Sequence, residues 1–234
     1  MATSRREKPL RQRGVRTSPR MDDGPAARSR HPVFARCYSA LAPLGELAGG
    51  ASLRAELLAG LSGVVVEVGA GSGLNFAHYP KGVTSVIAVE PEPHLRHVAV
   101  RAAGRAPVPI SVRDARAESL PLADGSVEAG VTALVLCSVD DPGSALGELH
   151  RVIKVGGELR FYEHIRGGRL GGALQDTVDP AWSLLAGGCH LNRDTQAEMV
   201  NAGFVITQLR RVPTRLIGVR LPGPAVIVGR ARRS

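Results

Sequence analysis

The sequence predicts an α/β protein: a doubly wound sheet of about seven strands, mostly parallel, with an antiparallel hairpin at one edge. Three observations predict it. Apolar, strand-length runs alternate with helix-length segments from Val64 to Gly203, the order that gives a parallel sheet covered on both faces. The first run, Val64–Val68, is apolar on both faces apart from Glu67 and leads directly into glycines at 69, 71 and 73. The last two runs, Phe204–Val212 and Ala225–Val228, are joined by a proline-bearing, non-helical connection, which suits a hairpin better than a crossover.

Each element follows from local pattern. Residues 1–30 are polar, Arg-rich and poor in branched apolar side chains, so they read as a disordered basic tail, with 31–234 as one domain. Order begins near His31, where Phe34, Cys37, Tyr38 and Leu41 share a helical face. Ser52–Leu61 places Leu53, Leu57, Leu58 and Leu61 on one stripe, and Gly63 ends that helix. After the glycine loop, a short helix runs to Tyr79 and Pro80. Ser85–Glu90 is the second strand, and Pro91 suits the first turn of a helix reaching Ala103. Pro109–Val112 is a third strand and Val127–Leu136 a fourth. Asp141 and Pro142 cap and open a helix that turns Leu146, Leu149, Val152 and Ile153 inward and stops at Gly156-Gly157. Glu158–Glu163 is the fifth strand. Residues 166–193 read as irregular, with a helix around Ala181–Leu185. Asp194 or Thr195 caps a helix that ends at Gly203.

Composition narrows the class. The chain has 234 residues, enough for a sizeable α/β core, and 3% aromatic content means that core rests on Val, Leu, Ile and Ala. Of the net charge of +9, residues 1–30 supply +6 and residues 210–234 supply +7, leaving 31–209 at −4. The basic excess therefore sits at the two ends of a mildly acidic body. With no aromatic stacking platform or RNA-binding module visible, nucleic acid is not the expected partner. Cys37, Cys137 and Cys189 are odd in number and widely spaced, which gives no disulfide framework and fits a cytoplasmic protein. No run approaches the ~18 apolar residues of a membrane helix.

The chemistry is carried by Glu67-x-Gly69-x-Gly71-x-Gly73. Glycines at alternate positions let a ligand approach the backbone and meet its N–H groups. Leu74 stands where a GxGxxG dinucleotide site requires glycine. Glu90, at the end of the second strand, can accept two hydrogen bonds from a ribose diol. Nicotinamide dinucleotides and S-adenosyl-L-methionine share that diol, so Glu90 alone does not choose between them.

Three further stretches choose: Ala117-Glu118-Ser-Leu-Pro121, Leu136-Cys-Ser-Val139 and Leu149-His-Arg-Val-Ile-Lys-Val-Gly-Gly157. With the glycine loop they resemble the successive motifs of class I S-adenosylmethionine-dependent methyltransferases, over about residues 64–165. Val155 departs from that pattern, where proline is usual. Ala133–Val139, together with Trp182 and Gly188-Cys-His-Leu-Asn-Arg193, is similar to the methyltransferase-like seven group of thiol S-methyltransferases. The animal members of that group carry a membrane anchor that has no counterpart here.

The resemblance implies a Rossmann-like methyltransferase sheet, S-adenosyl-L-methionine as cofactor, and these roles. Gly69, Ala70, Gly71 and Gly73 lie along the methionine part, Asn75 is a further cofactor contact, and Glu67 braces the loop or reaches the amine through water. Glu90 takes the ribose hydroxyls, and Pro91 follows against the adenosine. Ala117 and Glu118 flank the adenine, and Leu136 and Cys137 lie beside the sulfonium. Tyr38, His164, Trp182 and His190 are the candidate acceptor-binding residues, and His190 is the candidate base because its ordinary pKa suits proton transfer near neutrality. No metal is expected, since adjacent Cys189 and His190 cannot serve one tetrahedral ion without ligands at other spacings. The expected acceptor is a small, fairly apolar molecule: a thiol, phenol or quinone-like compound. Two other readings stay open: an RNA or protein methyltransferase anchored by its basic ends, and a non-catalytic cofactor-binding module.

Overall fold

The computed structural model describes residues 31–212, 215–216, 219–220 and 225–234. The expected disordered tail at 1–30 and most of the 213–224 connection lie outside the described residues. Seven strands form one sheet: β1 (Gly63–Val68), β2 (Val83–Val89), β3 (Ile110–Arg113), β4 (Val127–Ala133), β5 (Ile153–Ile165), β6 (Phe204–Val212) and β9 (Ala225–Arg233). Their order is β3-β2-β1-β4-β5-β9-β6. The first five are parallel, and β9 runs antiparallel between β5 and the edge strand β6. Between β6 and β9, β7 (Arg215–Leu216) and β8 (Val219–Arg220) pair as a small separate ribbon. The helices are α1 (Pro32–Gly45), α2 (Ala51–Leu58), α3 (Pro93–Ala103), α4 (Pro142–Val152), α5 (Arg169–Leu185) and α6 (Thr195–Asn201).

Neighbouring residues of β1 face opposite sides. Val65 packs with Leu57, Leu58, Phe76, Val86 and Ala99 on the face covered by α2 and α3. Val66 and Val68 pack with Leu146, Leu149, Phe161 and Met199 on the face covered by α4 and α6. Burial on both faces explains why this strand lacks polar alternation. Strand order reverses between β1 and β4, so the carboxyl ends of these two strands splay apart and open a crevice.

Several elements differ from the sequence expectation. Helix α2 stops at Leu58, and Gly63, at φ +75°, opens β1 instead of ending the helix. Pro93, not Pro91, opens α3, because the Glu92 side chain accepts from Leu95 N–H at 2.7 Å and makes Glu92 the cap. Strand β4 ends at Ala133 because Leu134 turns to φ +60°, so Leu136 and Cys137 follow the strand as a turn. Helix α4 ends at Val152, and Gly156-Gly157 lie inside β5 at a register shift against β4. A Cβ on Gly157 would come within 2.6 Å of the Glu128 carbonyl oxygen, which is why glycine stands there. The segment read as irregular is largely the 17-residue α5, which contains Pro180.

Candidate active site

The glycine loop leaves β1 at Gly69. Gly69, Gly71 and Gly73 all sit at positive φ, between +56° and +80°. A Cβ at Gly69 would come within 2.6 Å of Val135, so the loop and the turn after β4 are in contact. Ala70 N–H donates to the Val89 carbonyl, tying the loop to β2.

Two buried carboxylates hold this loop. Glu90 accepts from Gly71 N–H at 2.8 Å and from Glu92 N–H at 2.9 Å, and burial raises its pKa. Each of its oxygens keeps a second lone pair for a diol. Glu67 accepts from Asn75 Nδ2 at 3.0 Å and from the Tyr79 hydroxyl at 2.6 Å. The chain continues through the Arg54 guanidinium, which donates to Asn75 Oδ1 at 2.8 Å and to Glu46 Oε1 at 2.9 Å. Glu67 is thus a brace reached through side chains. Sequence reading missed Arg54, Glu46 and Tyr79, although Arg54 lies on the same helical stripe as Leu57 and Leu58.

Burial pushes the Glu67 carboxyl up to about 7 from an ordinary 4.5. Between those values the folded chain holds a proton that the unfolded chain has lost. The stability this group contributes is therefore complete below pH 4.5 and falls as pH rises toward 7. Glu67→Gln, which mimics the protonated form, is expected to flatten the fall in melting temperature between pH 5 and 8. An unchanged slope in thermal scans across that range would reject this assignment.

Other predicted residues are placed as follows. Tyr38 lies over the loop, its ring 3.6 Å from where a Gly71 Cβ would stand, and it stacks on Phe34 with ring centroids 5.7 Å apart. Phe34 in turn covers Gly187. Helix α1 therefore spans from the glycine loop to the segment after α5. Pro91 is half-buried between Glu90 and the cap of α3. Ala117 is in the core. Glu118 accepts from Asp140 N–H at 3.1 Å and from Arg116 at 3.3 Å, so part of its carboxylate holds the β4–α4 connection. The Leu136 side chain is buried in the core, so the turn presents its backbone at that position.

The carboxyl ends of β4 and β5 carry a second constellation. Glu163 is buried with its pKa raised by that burial to about 7, and it accepts from Val135 N–H at 3.0 Å and Leu136 N–H at 3.1 Å. Cys137 and Cys189 are free thiols whose sulfurs lie 3.3 Å apart. His164 Nδ1 is 3.7 Å from the Cys189 sulfur. The hydrogen bond to Cys137, then His164 and Trp182, pull Cys189 down against its burial. The same bond and burial push Cys137 up. His190 points elsewhere: its Nδ1 is 2.7 Å from Asp179 Oδ2, and Asp179 Oδ1 accepts from Leu191 N–H. His190 N–H donates to the Cys137 carbonyl at 2.7 Å, which docks the segment after α5 onto the turn after β4. Asp179 was not legible as a site residue, because it lies in a stretch that reads as loop.

The loop also fits a polar ligand on its own evidence. Ser72 Oγ is buried among the glycines with no hydrogen-bond partner among the described residues. An orphaned hydroxyl beside a strand-end carboxylate and a glycine-lined backbone suits the amino-acid and ribose parts of an adenosyl cofactor.

Comparison with known proteins agrees. A methyltransferase-domain family model matches residues 66–161. Human thiol S-methyltransferase TMT1B is 36% identical over 188 residues, covering 72% of this chain and 73% of that protein. Rat TMT1B is 36% identical over 171 residues, covering 69% and 70%. A solved S-adenosylmethionine-dependent methyltransferase from Thermotoga maritima, described as a possible histamine N-methyltransferase, shares the fold with a TM-score of 0.66 at 23% identity, over 87% of this chain and 98% of that one. Geranyl diphosphate C-methyltransferase from Streptomyces coelicolor, solved with S-adenosyl-L-homocysteine, shares it with a TM-score of 0.64 at 19% identity, over 82% of each. These two likenesses are of fold, and the match to TMT1B carries the closer kinship. By that kinship, and with a loop fitted to S-adenosyl-L-methionine, the chain belongs to the family of S-adenosylmethionine-dependent methyltransferases that includes the thiol S-methyltransferases.

Proposed function

We propose that this chain methylates the sulfur of a small, apolar thiol. The observation that carries the reading is the constellation at the ends of β4 and β5, where Cys137, Cys189, His164 and Trp182 gather and an Asp179-paired His190 is docked by its backbone N–H on the Cys137 carbonyl. The identity to proteins named thiol S-methyltransferases supports the same acceptor. So does helix α5, whose Leu170, Leu174, Val178 and Trp182 form an exposed apolar stripe at four-residue spacing beside the site.

The cofactor, when bound, supplies a methyl group on a cationic sulfur. The Ser72 hydroxyl and the glycine-lined backbone of residues 69–73 would hold its methionine end, the Ala70 and Gly71 N–H groups being already given to the Val89 carbonyl and Glu90. Glu90 holds its ribose, with Pro91, Ala117 and Glu118 about the adenosine. Tyr38 closes over the loop from α1, and Asn75 and Glu67 keep the loop in shape. The chemistry the cofactor would supply is in-line displacement of that methyl group onto the acceptor sulfur, and the chain's own residues would align the two and exclude water. Alignment and exclusion of water supply much of the rate. The remaining need is a thiolate, because a free thiol is only a few per cent ionised near neutrality. Asp179 fixes His190 through Nδ1, which leaves Nε2 to take the thiol proton.

His190→Gln is expected to lower kcat on a small thiol by about a hundredfold. The loss should shrink as pH rises and the acceptor ionises by itself, while binding of S-adenosylhomocysteine stays unchanged. A kcat within twofold of wild type at neutral pH would refuse the role of base.

The described C-terminal arginines do not favour an RNA acceptor. Arg232 and Arg233 stand in strand register with Glu158 and Phe204, at the sheet end opposite the glycine loop. Arg210 is spent on Glu56. No described helix is long and apolar enough to cross a membrane. Free, adjacent Cys137 and Cys189 favour a reducing compartment, the cytoplasm.

A further inference from the structure

We infer that Cys137, His164 and Cys189 form a zinc site whose fourth position takes the acceptor thiol. The inference rests on the thiol reading above and adds how that thiol is activated.

The geometry is close to what zinc requires. One donor atom from each residue falls within 4.8 Å of the other two. Zinc–thiolate bonds of about 2.3 Å at tetrahedral angles set two sulfurs roughly 3.8 Å apart. The Cys137 and Cys189 sulfurs are 3.3 Å apart and the Cys189–His164 pair 3.7 Å, so small side-chain rotations suffice. Two thiolates and an imidazole are soft ligands that select zinc over magnesium or calcium. Three protein ligands with an open fourth position is the pattern of a catalytic zinc site, whereas a structural one is closed by four.

The backbone behind each ligand is pinned. Leu136 N–H, beside Cys137, is held by Glu163, and the Cys137 carbonyl accepts from His190 N–H. The His164 carbonyl accepts from the Thr195 hydroxyl at 3.0 Å. Arg193 donates to the Leu136 and Val139 carbonyls, locking the turn after β4 to the segment that carries Cys189. Such outer contacts are what orient metal ligands before the metal arrives. Adjacent Cys189 and His190 alone do not make a tetrahedral site. The fold instead recruits Cys137, 52 residues away, and His164, 25 residues away, and turns His190 toward Asp179.

The step balances. The thiol passes its proton to His190 Nε2, the atom left free by the Nδ1–Asp179 pair, and its sulfur binds zinc as a thiolate. One sulfur lone pair then forms the new sulfur–carbon bond while the carbon–sulfonium bond breaks. The products are a thioether and neutral S-adenosylhomocysteine. The thioether is a weaker ligand than a thiolate and leaves, and zinc keeps its oxidation state throughout.

The test uses the full chain, purified under reducing conditions and incubated with zinc chloride before desalting. Elemental analysis is expected to find about one zinc per chain, falling at least tenfold in Cys137→Ser, Cys189→Ser and His164→Gln. S-adenosylhomocysteine binding by calorimetry should persist in Cys189→Ser and His164→Gln, and a cooperative thermal transition in all three shows that they fold. Cobalt-loaded wild type should show thiolate-to-metal charge-transfer absorption that shifts when a small thiol is added. Wild type that retains no zinc, or variants that retain as much as wild type, would overturn the site. Zinc bound without thiol methylation would leave the site standing and refuse the acceptor. Thiol methylation by a chain that binds no zinc would do the reverse.

Discussion

Glu90→Ala is expected to weaken binding of S-adenosylhomocysteine about a hundredfold, with a matching loss of methyl transfer. Two effects combine. The substitution removes the acceptor of the Gly71 and Glu92 N–H groups, so the glycine loop loses its tie to the end of β2. It also removes the carboxylate assigned to the ribose diol. Hydrogen bonds to a charged group contribute about 1.5–3 kcal/mol each, so losing a net 3 kcal/mol is about a hundredfold in Kd. Glu118→Ala should cost far less, because part of that carboxylate holds Asp140 N–H and Arg116. Isothermal calorimetry on both variants checks the contrast. Equal affinities for Glu90→Ala and wild type would remove Glu90 from the site.

Arg54→Ala is expected to have the largest effect on stability. Its guanidinium is buried between Glu46 and Asn75, and Asn75 in turn holds Glu67. Truncation leaves the buried Asn75 Oδ1 without its donor and the partly exposed Glu46 without its ion-pair partner. Breaking a buried pair from one side costs about 3 kcal/mol or more. For a domain of this size that is a fall of roughly 10 °C in melting temperature. The loop should loosen as well, so cofactor affinity falls along with Tm. A melting temperature within two or three degrees of wild type, read by calorimetry, would show that the chain of contacts from Tyr79 to Glu46 contributes little.

The parts that were legible in the sequence are those encoded by neighbours along the chain. Glu67 and the three glycines declare a strand, a tight turn and a ligand-facing backbone within seven residues. The apolar runs of β1, β2 and β4 fix the sheet, and Asp141-Pro142 declares the start of α4. What the sequence hid is what only the topology assembles. Arg54 meets Asn75 across 21 residues, and the Cys137–His164–Cys189 cluster exists because β4 and β5 end side by side. Adjacent residues misled for the same reason: Cys189 turns toward Cys137 and His190 toward Asp179. Helix α5 was hidden by Gly171, Gly172 and Pro180, each a poor helix former. Tertiary ties at Gln175 and Asp179 anchor it, through Gly167 N–H and Leu191 N–H. Gly156-Gly157 carried the opposite error, since a glycine pair that looks like a helix end is a close approach inside β5.

Methyl transfer from labelled S-adenosyl-L-methionine to a matched set of acceptors tests the account most directly. The set pairs an alkane thiol with its alcohol and a thiophenol with its phenol, and adds a structured RNA, with Glu90→Ala as the inactive control. The account predicts label on the two thiols, at least a hundredfold less on the alcohol and phenol, and none on the RNA. Label on the phenol or the RNA in preference to the thiols, or transfer that survives Glu90→Ala, would contradict it.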